Sequence, residues 1–300
     1  MKNTSQVDSN VSSDALCTAD IAFFEREGYL IFPRLLTPAH SERVMRDIDR
    51  LQAQRTGGYA QRNSEENGTA LIITFPHLGG LTCYPPMVAK VASLMGGCGF
   101  ALHHQHANLH PKGTLPSNWH HDYEQFPQTD RDQLMVHCFY YPNGLNGEAG
   151  DLLVLPRSHK SVMHNNAFSG LFYAKDLPGS VTIDELPGGS AVIVHSALLH
   201  ARRAKPGGLS NPRYFTDVSY CQAGDQKWPA YGFPLPKLAL HKRVGQRARE
   251  AGHGREGKFD FLYATDMFYD MDTATEPQRV AMEWRVRQGR KNRSVRERTQ

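Results

Sequence analysis

The chain has 300 residues, 40% of them hydrophobic, enough for one substantial core. Its five cysteines (Cys17, Cys83, Cys98, Cys138, Cys221) are odd in number and scattered without CxxC spacing, which argues against a disulfide framework and a structural zinc site. The formal net charge of +4 belongs to the end of the chain: residues 281–300 hold seven Arg/Lys against two Glu, so the remainder sums to −1 and offers no general basic surface for nucleic acid.

Residues 1–17 are polar, lack an apolar signal core and are expected to be disordered. No apolar run of about 18 residues occurs, so a cytoplasmic protein without membrane contact is expected. A single domain is predicted over 18–280, with a solvated basic tail over 281–300. Thr18 is placed to cap a short helix ending at Gly28, with Ile21 and Phe24 on one face. Thr37-Pro38 opens a second helix in which Val44, Ile48 and Leu51 recur at helical spacing. Both helices are expected to pack outside a barrel. From Leu71 to Tyr220 the pattern reads as short strands between Pro/Gly turns, the mark of a sandwich or jelly roll. Residues 160–185 and 225–280 read as loops and helices around its mouth.

Within the strand region, Leu102 to His110 alternates with period two, so His104, His106 and Asn108 share one face. That face either lines the barrel or belongs to a solvent-facing edge strand. Next comes Asn118-Trp119-His120-His121-Asp122. In an extended strand His120 and Asp122 leave on one side and His121 on the other. A His-x-Asp pair arises about once per chain of this composition by chance, so its context has to supply the argument. Leu134 to Tyr140 is a further strand, on which His137 could face the pocket but reads rather as a hydrogen-bonded core histidine.

The run Gly188 to His195 is a turn feeding a buried β-branched strand, and His200 lies just past its end. The turn formers Lys205 to Pro212 follow, and then a strand opening at Arg213. Read as a hairpin, this places Arg213 beside the strand of His200. His120, Asp122 and His200 would then form a two-histidine, one-carboxylate face with open cis positions, the arrangement of non-heme Fe(II) oxygenases. His195 is an alternative to His200, and His121 an alternative to His120. A buried arginine beside such a site needs a carboxylate for its planar fork. A keto-diacid chelating the ion at one end would supply it at the other, and 2-oxoglutarate has that shape.

At these residues the chain resembles the phytanoyl-CoA dioxygenase family over roughly residues 20–220. The resemblance is carried by Trp119-His120-His121-Asp122, by Gly150-Asp151-Leu152-Leu153-Val154-Leu155-Pro156-Arg157-Ser158-His159-Lys160, and by the opening Phe24-Glu25-Arg26-Glu27-Gly28-Tyr29. It implies a mainly β protein with flanking helices, a double-stranded β-helix (jelly roll, cupin-like). It also implies Fe(II) on His120, Asp122 and His200, 2-oxoglutarate as co-substrate and O2 as oxidant. Arg213 would hold the distal carboxylate, and by position His104 and Asn108 would contact the co-substrate. Two departures stand out: Arg157 replaces a usual glycine, and Ala201-Arg202 replaces the usual Gly-Ser. They suggest extra positive charge at the mouth from Arg157, Arg202 and Arg203.

The expected activity is hydroxylation of an aliphatic carbon in a small metabolite or natural-product intermediate, with release of succinate and CO2. Asp122 argues against halogenation, because related halogenases lack this carboxylate. Desaturation or ring closure needs only a different substrate pose. The rivals are a zinc hydrolase and a non-enzymatic jelly-roll binding protein. The protein is expected to be a monomer or homodimer.

Overall fold

The structure, a computed structural model, describes residues 14–55, 68–125, 131–164, 166–204, 212–231, 238–255 and 258–280. The expectations for most of the first 17 residues and for the basic tail lie outside this set. Helix α1 (Thr18–Glu27) is followed by β1 (Tyr29–Phe32) and α2 (Pro38–Gln54). Then come α3 (Thr69–Ile72), α4 (Pro85–Leu94), β2 (Phe100–His110), β3 (Ser117–His120) and β4 (Met135–Tyr141). β5 (Leu145–Asn146), β6 (Leu152–Val154), α5 (Ser169–Phe172), β7 (Val181–Ile183), β8 (Glu185–Leu186) and β9 (Ser190–His195) follow. The chain continues through β10 (His200–Arg202), β11 (Arg213–Gln222), β12 (Trp228–Pro229), α6 (Leu238–Glu250) and β13 (Phe268–Tyr269).

Two antiparallel sheets face each other, one ordered β1-β9-β4-β11-β2 and the other β3-β10-β6-β7. This is the double-stranded β-helix, left open rather than closed. Side-chain alternation gives each sheet two faces. On the outer face of the larger sheet, Val136, Cys138, Tyr140, Ile193, Val218 and Tyr220 join a core with residues of α2, α4 and α6, among them Val44, Ile48, Val91 and Val244. On its inner face Phe139, Tyr141, Val192 and Val194 pack against Leu152, Val154 and Ile183 of the smaller sheet. Trp119, Leu153 and Ala201 form the outer core of the smaller sheet, covered by Met163, Phe168 and Leu177.

Three sequence expectations change. The cap of α1 is Cys17, not Thr18, because the Asp20 side chain reaches back to accept from the Cys17 N–H at 3.2 Å. Residues 69–94 are largely helical, since Pro85 and Pro86 begin α4 instead of breaking a strand. The segment after β9 is no hairpin. β9 and β11 both flank β4 in the larger sheet, whereas β10, carrying His200, crosses to the smaller one. α2 starts as expected, with Thr37 accepting from the His40 N–H at 3.2 Å.

The segment Pro156 to Lys160 fastens the two ends of this framework. Ser158 Oγ accepts from the Leu199 N–H at 2.8 Å, one residue before His200, and His159 Nε2 donates to the Glu25 carbonyl at 3.1 Å. Gly28, the left-handed cap of α1 with φ of +89°, lies so close that a Cβ would sit 2.6 Å from His159 Nδ1 and 2.8 Å from Leu198 Cδ1. Gly28→Ala combines a disfavoured backbone with a steric clash and is expected to cost about 3 kcal/mol. The shift of the urea midpoint measures it, and a wild-type midpoint would contradict this account of the contact.

Candidate active site between the two sheets

His120 ends β3 and His200 begins β10, directly opposite each other in the strand register, with ring centroids 4.4 Å apart. Each Nδ1 lies against a carbonyl two residues earlier, His120 at 2.6 Å from Asn118 O and His200 at 3.1 Å from Leu198 O. A carbonyl can only accept, so each Nδ1 carries a proton, and a bound ion would meet the Nε2 lone pairs in place of any proton there. Asp122 follows in the loop after β3, its backbone N–H donating to Ser196 O at 2.7 Å. Its carboxylate oxygens lie 3.2 Å from His200 Nε2 and 3.7 Å from His120 Nε2. Cis ligands about 2.1 Å from one ion stand about 3.0 Å apart, so these three donors can share an ion with little adjustment. Burial opposes ionisation of Asp122, but His120 and His200 outweigh it and hold its pKa well below the usual range.

The two alternatives point elsewhere. His121 is buried, with Nε2 donating to Met163 O at 2.9 Å and its pKa held down to about 4 by burial. His195 is enclosed by the rings of Phe24, Tyr123 and His159, its Nδ1 accepting from the Ala197 N–H at 3.0 Å.

The inner face of the larger sheet is arranged in rows set by the strand register. The first holds His110 and Arg213, the next Asn108 and Phe215 with the Tyr141 ring 5.8 Å from Phe215, then His106, Asp217 and Phe139, and then His104, Ser219 and His137. Phe139 packs on the His200 ring at 5.4 Å and on Phe215 at 5.4 Å, so the triad stands over the middle rows with Arg213 at one end. Arg213 reaches this interior from β11, not from the hairpin expected.

Arg213 is 2% exposed, and its guanidinium lies over Tyr141 at 5.1 Å and Phe215 at 4.9 Å. Among the described residues no carboxylate pairs with it, and its buried Nε has no hydrogen-bond partner. A guanidinium retains its charge when buried, and beyond long contacts with His110 Nδ1 at 3.4 Å and the Tyr141 hydroxyl at 3.5 Å this one has no anionic partner among the described residues, so it could hold a carboxylate. The supposed positive mouth is otherwise largely neutralised. Arg157 pairs with Glu27 at 2.9 Å, and Arg203 with Asp176 at 2.7 Å.

β2 is an edge strand, as one sequence reading had it, yet its histidine face turns inward, as the other had it. His104 falls into a second group with His137 and Asp217. His137 Nδ1 stands 2.7 Å from Asp217 Oδ2, and Ser219 Oγ is 2.8 Å from His137 Nδ1 and 3.3 Å from His104 Nε2. A separation of 2.7 Å is a charge-assisted hydrogen bond, too short for two tetrahedral ligands of one ion, which stand about 3.3 Å apart. Burial disfavours a charged His137, but Asp217 outweighs it and raises the pKa, which favours the imidazolium form. His137 Nε2 and Asp217 Oδ1 remain buried without hydrogen-bond partners among the described residues. Tyr231 stacks on His104 at 4.1 Å and contacts His106 Nε2 through its hydroxyl at 2.9 Å.

The sequence reading passed over Asp217, Ser219 and Tyr141, and preferred core over pocket for His137. The available signal was a charged residue at alternating spacing inside the apolar strand Tyr214 to Cys221. Trp228 and Phe268, from the segment read as surrounding the mouth, belong to a buried core cluster, and Tyr173 is exposed.

A search of curated proteins gave no match. Among solved structures, HygX from Streptomyces hygroscopicus, with nickel and 2-oxoglutarate bound, is similar at a TM-score of 0.55 and 16% identity over 71% of this chain and 90% of that one. EctD from S. alaskensis, with 2-oxoglutarate and 5-hydroxyectoine, gives 0.57 and 17% over 77% and 85%. The epimerase SnoN, in complex with Fe3+, alpha ketoglutarate and nogalamycin RO, gives 0.53 and 20% over 68% and 83%. These likenesses establish the double-stranded β-helix. The model of the phytanoyl-CoA dioxygenase family matches residues 24–205, from the last turn of α1 through the strand of His200. The match spans more than half of the chain, and the protein therefore belongs to the phytanoyl-CoA dioxygenase family, 2-oxoglutarate-dependent oxygenases that use Fe(II), 2-oxoglutarate and O2.

Proposed function

We propose that the protein hydroxylates an aliphatic carbon of a small metabolite or natural-product intermediate, consuming 2-oxoglutarate and O2 and releasing succinate and CO2. The observation that carries this reading is the pairing of three converging ligand atoms with a buried guanidinium that lacks a carboxylate. His120, Asp122 and His200 hold the ferrous ion, and Arg213 receives the distal carboxylate of the co-substrate. Iron bound there would supply the coupling of O2 reduction to oxidative decarboxylation, one oxygen atom going to succinate and the other to the substrate carbon.

The protein's own groups do the positioning. The Asn118 and Leu198 carbonyls fix both imidazole tautomers, and the ionised Asp122 supplies the anionic ligand. Asn108, in the row beside Arg213, contacts the co-substrate. His104 lies two rows further and, with His137 and Asp217, faces the substrate side instead. There Asp217 Oδ1 offers an acceptor and His137 Nε2 a donor, a chemistry suited to a polar molecule more than to a plain acyl chain. The similar structures include an epimerase and a carbocyclase, which supports substrate pose as the determinant of the outcome within this fold.

Anaerobic addition of Fe(II) and 2-oxoglutarate tests the site: a visible charge-transfer band is expected. A colourless protein that binds zinc and hydrolyses esters or amides would favour a hydrolase. Labelled O2, followed into succinate and product, separates hydroxylation from desaturation and cyclisation, since hydroxylation alone leaves label in the product.

A further inference from the structure

The departure at Arg202 has a place in the site. Ala201 faces the outer core with Trp119 and Leu153, so alternation along β10 turns Arg202 to the inner side, where His200 lies. Arg213 reaches the same end from the opposite sheet. Leu152, the register partner of Arg202 on β6, packs in one buried cluster with Tyr141, the ring that lies under the Arg213 guanidinium at 5.1 Å. Arg202 donates to the carbonyls of Leu115 and Arg203, which uses part of its fork. Neither Arg202 nor Arg213 forms an ion pair among the described residues, whereas Arg157 and Arg203 each have a carboxylate. Two like charges converging from facing sheets repel each other unless an anion sits between them.

We propose that Arg202 is the second arm of a two-guanidinium clamp on the distal carboxylate of the keto-diacid co-substrate, and that this pair sets the preference for dicarboxylic over monocarboxylic 2-oxoacids. The inference rests on the co-substrate site proposed above. Arg202 is a specificity residue in this account, since it touches the end of the co-substrate remote from the reacting atoms.

Calorimetry on Ni(II)-loaded protein tests it without turnover. Wild-type protein is expected to bind 2-oxoglutarate. Arg202→Ala and Arg202→Ser are expected to bind it about tenfold more weakly, as suits one lost charge-assisted contact, and with a shallower salt dependence. Both variants should bind 2-oxobutyrate, which lacks the distal carboxylate, as wild type does. Unchanged 2-oxoglutarate affinity in the variants overturns the clamp. Equal weakening for both keto acids also overturns it, because Arg202 would then act by holding the Leu115 turn. Failure of the wild type itself to bind 2-oxoglutarate sinks the co-substrate site along with the clamp.

Discussion

Asp122→Ala is expected to abolish 2-oxoglutarate-dependent succinate formation and iron binding while leaving the fold in place. The carboxylate supplies one of three donors and the only anionic one in the triad. Its loss should exceed the roughly 10–100-fold that removing a group merely supporting a metal ligand costs. The fold should survive because Asp122 lies past the end of β3, a third of its side chain is exposed, and its contact with Ser196 is made by the backbone N–H. His120→Ala and His200→Ala should behave alike in activity. His200 is the more buried, 8% against 26% exposed, and should cost more stability. Metal analysis and succinate assay on the purified variant decide the matter. Full succinate release by Asp122→Ala would mean that the ion sits elsewhere.

Features governed by neighbours in the chain were legible in the sequence, whereas features governed by the sheets were not. Thr37-Pro38 and the spacing of Val44, Ile48 and Leu51 specify α2 because cap and face are local. His120 and Asp122 were readable as a pair for the same reason. The crossing between β9 and β10 was hidden because only Ser196 to Leu199 separates the two strands, and nothing in that short run says which sheet each strand enters. The turn formers after Lys205 then suggested a hairpin whose two arms prove to be separated by β4. Residues 69–94 misled because an aliphatic run before a proline pair fits a strand and turn as well as a helix opening at Pro85.

The polar rows lay further still from a local reading. His104, Ser219 and His137 come from three strands, and only the register of β2, β11 and β4 sets them side by side. A search for motifs could find Asp217 as an oddity within an apolar strand, but not its partner 80 residues earlier. The same limit applied to Arg157 and Arg203. As a charge count they promised a basic mouth, yet Glu27 and Asp176 are set against them by contacts distant in sequence.

Arg213→Ala should separate binding from stability, because the two effects are expected to have opposite signs. In the presence of 2-oxoglutarate the variant loses the partner of a buried carboxylate, a loss of about 2–5 kcal/mol, or roughly 30- to 5000-fold in co-substrate requirement. In its absence the wild-type guanidinium is buried between Tyr141 and Phe215 with an orphaned Nε, so its removal relieves an uncompensated charge. The ligand-free variant should therefore unfold at the same temperature as wild type or higher, and the stabilisation that 2-oxoglutarate gives wild type should vanish at matched concentration. Arg213→Lys should recover only part of the affinity, since an ammonium keeps the charge but not the planar fork. Thermal unfolding with and without 2-oxoglutarate, beside its saturation curve, reads all of these quantities. A variant that binds 2-oxoglutarate as wild type does would show that the orphaned guanidinium serves some other anion.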